Sequence, residues 1–130
     1  LCDRRQRQMG IRDSILPGGL GGVHSILASE TAMNFIRLAY EKNCLIAAIC
    51  AAPTILASLH ITDGRRATCY PGLEDQMDAA KMIPCGAVQD GNVITGRAAG
   101  SADEFGLACL RALKGEDTAR QVASDIVYRA

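Results

Sequence analysis

The sequence has no excess charge of either sign: 14 Lys and Arg stand against 14 Asp and Glu, a formal net charge of zero. Without a basic surplus there is no counterion release to drive nucleic-acid binding and no pull towards an anionic membrane, so neither partner is expected. Long hydrophobic runs are missing as well. The longest uncharged apolar stretch, residues 44–52, is far short of the ~20 residues that cross a bilayer. The opening LCDRRQRQMG places no apolar stretch behind its positive charges, so no secretory signal is read there and a cytoplasmic setting is expected. Metal-ligand spacing is absent. The six cysteines (Cys2, Cys44, Cys50, Cys69, Cys85, Cys109) are dispersed, no two are separated by two to four residues, and only His24 and His60 are available to join them. No zinc site is expected, and free thiols are a better reading than the disulfide framework of a small secreted scaffold. The Lys-Ser/Thr that completes a phosphate-binding P-loop does not follow the glycines at 18–22.

What is present is the make-up of an ordinary folded domain, 48% hydrophobic and 22% charged, and 130 residues allow one core. Ser14-Ile15-Leu16 reads as a short strand breaking at Pro17 into the glycine-rich turn Gly18-Gly19-Leu20-Gly21-Gly22. From Ser29 onward, Ala32, Phe35, Ile36, Ala39 and Tyr40 recur at the spacing of one apolar helix face, ending near Lys42-Asn43. Residues 44–49 form a continuous apolar run too short for a lone helix, which predicts a central parallel strand covered on both faces. A helix is predicted directly after it, with Pro53 tolerated in its first turn. Residues 67–70 predict a further strand, and 85–89 and 92–96 a hairpin through Asp90-Gly91. Ser101-Ala102-Asp103-Glu104 fits a capping box ahead of a helix whose face is Phe105, Ala108, Cys109 and Ala112. A last helix opens after Gly115 and shows Ala119, Val122, Ala123, Ile126 and Val127. Strands alternating with helices predict an α/β architecture with a mostly parallel sheet, whose ligands bind beyond the carboxyl ends of the strands.

On this reading Cys50 sits at a strand-to-helix corner, where the helix N-terminus favours a thiolate. Ala48-Ile49-Cys50-Ala51-Ala52 parallels the nucleophile elbow G-x-S-x-G, with small residues on both sides. Spacing alone leaves two readings open, a nucleophile or a small buried hydrophobe. Cys44 and Cys109 lie on apolar faces and read as core. Cys69 and Cys85 sit at strand ends, oxidisable only if exposed. His24 either faces the glycine turn's pocket or lies on the surface, and His60 suits the end of a helix.

Leu16-Pro17-Gly18-Gly19, residues 47–53 (AAICAAP), residues 67–71 (ATCYP), Ile94-Thr95-Gly96-Arg97 and Glu104-Phe105-Gly106-Leu107 follow one another as in the DJ-1/PfpI (ThiJ/PfpI) superfamily. The resemblance covers about residues 14–127 and is greatest to the DJ-1/YajL branch. It implies a flavodoxin-like, Rossmann-like three-layer sandwich and a homodimer. It also implies either cofactor-independent glyoxalase or deglycase chemistry on small reactive aldehydes and glycated groups, or redox sensing and chaperone action; older descriptions speak of thiazole monophosphate biosynthesis. The family's nucleophile falls on Cys50 and its oxyanion-binding amides on Gly19 and Ala51, while Gly18 keeps the turn open. Tyr70, Arg97 and His24 would neighbour the pocket. Tyr70 stands where some relatives carry a histidine, which argues against a Cys-His dyad, and Arg97-Ala98-Ala99-Gly100 departs from the family's Arg-Gly-Pro-Gly. The domain is expected over residues 15–130, without the family's first strand-helix units and the glutamate they bring to the thiol. Residues 1–14 resemble no family segment; they read either as an adaptor-derived junction or as a basic disordered tail.

Overall fold

The computed structural model describes residues 13–129; Cys2 and the basic stretch around it lie outside the described residues. Among the described residues, six short strands and five helices follow in the order β1 (Ser14–Leu16), α1 (Leu20–Leu27), α2 (Glu30–Glu41), β2 (Ile46–Ile49), α3 (Pro53–Ser58), β3 (Arg66–Ala67), β4 (Lys81–Met82), β5 (Ala87–Asp90), β6 (Val93–Gly96), α4 (Ala102–Lys114) and α5 (Glu116–Asp125). Four strands make the main sheet in the order β1-β2-β6-β5. β1 and β6 flank β2 in parallel, and β5 closes on β6 as the antiparallel hairpin that Asp90-Gly91 predicted. β3 and β4 pair in parallel as a separate ribbon.

The apolar run through β2 divides its side chains between two layers, as the two-residue period of a strand requires. Ile46 and Ala48 join Val23, Ile36, Ala39, Ile55 and Leu56 under α1, α2 and α3. Leu45 and Ala47 join Ile94, Phe105, Ala108 and Cys109 under α4. Helices therefore cover both faces of the sheet, giving the three-layer α/β sandwich. Gly96 makes the second layer fit, because a Cβ there would come within 2.8 Å of both Ile49 Cγ1 and Phe105 Cδ1. Ser29 caps α2 by accepting from the Ala32 N–H at 3.1 Å, an interaction typically worth ~1 kcal/mol.

Several sequence expectations are corrected. The glycine segment is divided: Gly18 and Gly19 form the turn, whereas Gly21 and Gly22 already belong to α1, which Val23 anchors in the core. The strand expected over residues 67–70 is confined to Arg66–Ala67, because the next residue binds sideways: the Thr68 N–H donates to Thr95 Oγ1 at 2.9 Å. β4, its partner, had not been anticipated. Ser101 makes no side-chain cap, and the N–H that Glu104 would have accepted from donates instead to the Ala98 carbonyl at 2.9 Å, in a 3-10 turn over Ala99–Ser101. Leu107 rather than Ala112 completes the buried face of α4. Phe35, Ile126 and Val127 are exposed, the last two lying beyond the end of α5, whose buried contribution is Ala119.

Candidate functional site

Cys50 occupies the corner between β2 and α3 with φ +67°, a left-handed conformation that non-glycine residues rarely adopt and that typically costs on the order of 1–3 kcal/mol. The corner is pinned from several directions. The Cys50 N–H donates to the Gly96 carbonyl at 2.9 Å, and the Cys50 carbonyl accepts from the Tyr70 N–H at 2.8 Å. The Ala52 N–H donates back to the Ile49 carbonyl at 3.1 Å, and the buried Thr54 hydroxyl donates to the Ala51 carbonyl at 2.7 Å. Gly18 lies directly against the thiol: a Cβ there would sit 2.6 Å from Cys50 Cβ and 3.3 Å from its Sγ. The strand end at Leu16-Pro17 and the corner at Cys50 thus meet because one has no side chain.

A cavity of about 360 Å³ opens over this corner, lined by Gly19, Leu20, Cys50, Ala51, Tyr70, Pro71, Gly72 and Leu73. Its lining is mostly apolar, with Cys50 and Tyr70 as the residues that carry polar or titratable side-chain groups. The N–H groups of Gly19 and Ala51 have no hydrogen-bond partner among the described residues, so both remain free to donate. Gly19 has φ +95°, which a side chain would strain. The Cys50 thiol, the two amides and the cavity therefore share one corner. A larger groove of about 540 Å³ runs along β1 and α2, past Ile15, Ala32 and Phe35, but no thiol, imidazole or carboxylate lines it.

Of the residues singled out in the sequence, Cys50, Gly18, Gly19, Ala51 and Tyr70 come together here. His24 is exposed on α1 and Arg97 does not line the cavity. The Arg97 N–H is used by the Gly86 carbonyl at 2.9 Å, and its charge acts instead on the Cys69 thiol. Leu20, Pro71, Gly72 and Leu73 were missed; the turn signal Pro71-Gly72 directly after Tyr70 was the available clue, and Gly72 indeed has φ +99°. Asp13 is engaged elsewhere, accepting from the Leu45 N–H at 2.6 Å.

The five described cysteines are all free. Burial pushes the Cys69 thiol up to about 11, the Glu74 carboxylate adding to the rise and Arg97 opposing it. Burial likewise pushes Cys109 up to about 11, and raises Cys44 with help from the Asp13 charge. Among the described residues no group of three or more His, Cys, Asp or Glu side chains is placed to hold a metal ion, and no helix is long and apolar enough to cross a membrane.

Residues 13–112 match the model of the DJ-1/PfpI family. The chain belongs to that family. It is 36% identical to Protein dj-1beta of Drosophila melanogaster over 115 residues, covering 87% of this chain and 62% of that protein. It is also 36% identical to the Parkinson disease protein 7 homolog of Danio rerio over 118 residues, covering 88% and 62%. The crystal structure of Drosophila DJ-1beta superposes with a TM-score of 0.83 at 36% identity over 89% of this chain and 63% of that one. The structure of oxidized Toxoplasma gondii DJ-1 gives 0.79 at 26% identity over 87% and 62%. The DJ-1/PfpI chain spans less than two thirds of the length of these relatives, and the α/β sandwich it shares with them is the family's fold.

Proposed function

We propose that Cys50 is a nucleophile for reactive carbonyls, in a cofactor-independent reaction of glyoxalase or deglycase type on methylglyoxal or the adducts it forms. The observation that carries this reading is the Cys50 corner itself: a cysteine at φ +67° lining a cavity together with Gly19 and Ala51, whose N–H groups have no partner among the described residues. A strained corner that presents a nucleophile clear of both its elements is how hydrolase elbows expose their serine.

In the proposed chemistry the Cys50 thiolate attacks the aldehyde carbon, forming the S–C bond while the carbonyl π pair moves to oxygen. The Gly19 and Ala51 N–H groups stabilise that oxyanion, and a proton completes the hemithioacetal. Moving the remaining aldehyde hydrogen as a proton from that carbon to the neighbouring one, while the hydroxyl proton of the hemithioacetal passes to the former ketone oxygen, converts the adduct to a thioester of lactate. Water then releases lactate and restores the thiol. The proton steps need an acid/base group, and Tyr70 is the titratable side chain besides Cys50 that lines the cavity among the described residues. A homodimer in the cytoplasm, acting on small aldehydes or glycated groups, belongs to the same proposal and rests on the family resemblance.

A second reading is redox sensing or chaperone action, in which Cys50 is oxidised to sulfinic acid and the modified state changes partners. The partial exposure of Cys50 favours it, as does the likeness to the oxidized Toxoplasma protein. Lactate formation from methylglyoxal, measured for this chain and for its fusion to the N-terminal unit of Drosophila DJ-1beta, separates the two readings. Cys50→Ser should lower turnover by about 10³-fold or more, as removal of a nucleophile typically does. Unchanged turnover overturns the enzyme reading.

A further inference from the structure

Of the three buried thiols that the chemistry above leaves unused, Cys44, Cys69 and Cys109, Cys69 is the one tied to the Cys50 corner. It is 2% exposed and packs with Ala67 and Met77 under the β3-β4 ribbon, its thiol 3.4 Å from the Tyr70 carbonyl. Its backbone is tied to the corner, because the very next residue donates the 2.8 Å hydrogen bond to the Cys50 carbonyl. An N–H and a C=O each lie about 2.4 Å from their flanking Cα atoms, so this bond keeps the Cα atoms of Cys50 and Cys69 within about 8 Å. The range below that ceiling includes the ~4.4–6.8 Å over which a disulfide joins two Cα atoms. The charge on Cys50 is also felt at the Cys69 thiol.

From this adjacency we infer that Cys69 is the resolving thiol for oxidised Cys50, so that a peroxide closes a Cys50–Cys69 disulfide rather than driving Cys50 on to sulfinic acid. The inference rests on the reading of Cys50 as the reactive thiol. In the first step the Cys50 thiolate displaces hydroxide from the peroxide, forming S–O as O–O breaks, so sulfur is oxidised and the peroxide reduced. In the second step the Cys69 sulfur attacks the Cys50 sulfenic acid. The S–S bond forms, S–O breaks, and the Cys69 proton leaves with the hydroxyl as water. Burial keeps Cys69 protonated and slows its attack in isolation, but the hydrogen bond that ties its neighbour to the Cys50 carbonyl supplies the high effective concentration of an intramolecular partner. The bridge then protects Cys50, because a disulfide returns to thiols under reductant whereas a sulfinate does not.

The chain is treated with hydrogen peroxide, its free thiols are blocked, and peptides are mapped by mass with and without reductant. A parallel sample carries a 1,3-dione probe that traps sulfenic acid. The expected result is a reductant-sensitive peptide pair joining Cys50 to Cys69. Cys69→Ser should abolish that pair and raise the Cys50 sulfinate yield roughly threefold or more at equal peroxide, since nothing intercepts the sulfenic acid. Cys69→Ala, with circular dichroism to verify its fold, should do the same, whereas Cys85→Ser on the exposed thiol should change neither. Probe-labelled Cys50 with an unchanged sulfinate yield in both Cys69 variants overturns the resolving role while leaving Cys50 reactive. A Cys50 that takes no probe and no oxygen overturns the proposed nucleophile as well.

Discussion

Gly18 and Cys50 touch across the strand-to-helix corner so closely that a single methyl on Gly18 would overlap the Cys50 Cβ at 2.6 Å. The Ile49 carbonyl, 3.1 Å from the same point, closes off the other way out. Neither neighbour is the free end of a flexible side chain, so Gly18→Ala must push the corner itself. A displacement of about 1 Å at a reacting atom can cost ~10²-fold in rate. Gly18→Ala is therefore expected to lower methylglyoxal turnover by about that factor. Gly21→Ala and Gly22→Ala, in open space on α1, should leave turnover near its starting value. Steady-state kinetics on the three variants checks this, and an unimpaired Gly18→Ala would mean that the corner's position is unimportant to the chemistry.

The corner was legible in the sequence because an apolar run too short for a lone helix ends there and a helix that tolerates Pro53 in its first turn begins. The hairpin at Asp90-Gly91 was legible for a similar local reason, since Gly91 does adopt φ +62°. What escaped depended on partners, near or far in the chain, that the local pattern does not announce. β4 is two residues, Lys81 and Met82, that are a strand through pairing with Arg66 and Ala67, and nothing in their own pattern announces it. The capping box at Ser101 has the right letters, but its N–H is already taken by Ala98. Phe35 has the helical spacing of a core residue and borders the groove beside β1 instead, because periodicity reports which face is apolar and not whether anything covers it. In the candidate site, Tyr70 was found by motif and Leu73 follows the turn at Pro71-Gly72, whereas Leu20 reaches the cavity from the first turn of α1.

Alkaline pH should unfold the chain partly through its buried thiols. Cys69 and Cys109 are each pushed from the ordinary 9.0 up to about 11 by burial, so between those values the unfolded chain loses these protons and the folded chain keeps them. The unfolded state then binds fewer protons, and stability falls as pH rises. It is fully present below about 9 and lost as pH passes through about 11. Two units correspond to roughly 2–3 kcal/mol for each thiol. Removing one of them should flatten the decline: between pH 8 and 11, the Tm of Cys109→Ala should fall by several degrees less than that of the unaltered chain. Parallel declines, measured by calorimetry, would show that Cys109 titrates alike in the folded and unfolded states.

The last expectation concerns proton transfer at the cavity. General acid/base help is typically worth 10²- to 10⁴-fold, and no carboxylate lines the cavity among the described residues. Asp13, the acidic residue beside β1, is occupied with the Leu45 N–H, on a different part of the sheet from the Cys50 corner. Tyr70 is the titratable side chain besides Cys50 that lines the cavity among the described residues. β1 is moreover an outer strand of the sheet that carries the corner, with Ile15 55% exposed, so added packing on that side would hold β1 and Gly18 more firmly against Cys50. The chain by itself is thus expected to consume methylglyoxal at least about 10²-fold more slowly than a version in which residues 1–14 are replaced by the N-terminal unit of Drosophila DJ-1beta. Both proteins are assayed for aldehyde loss at matched concentration, with Tyr70→Phe made in each. Equal rates for chain and fusion, together with a loss on Tyr70→Phe, would assign the proton transfer to Tyr70. Equal rates insensitive to Tyr70 would mean that hemithioacetal formation alone accounts for the consumption, with no lactate formed.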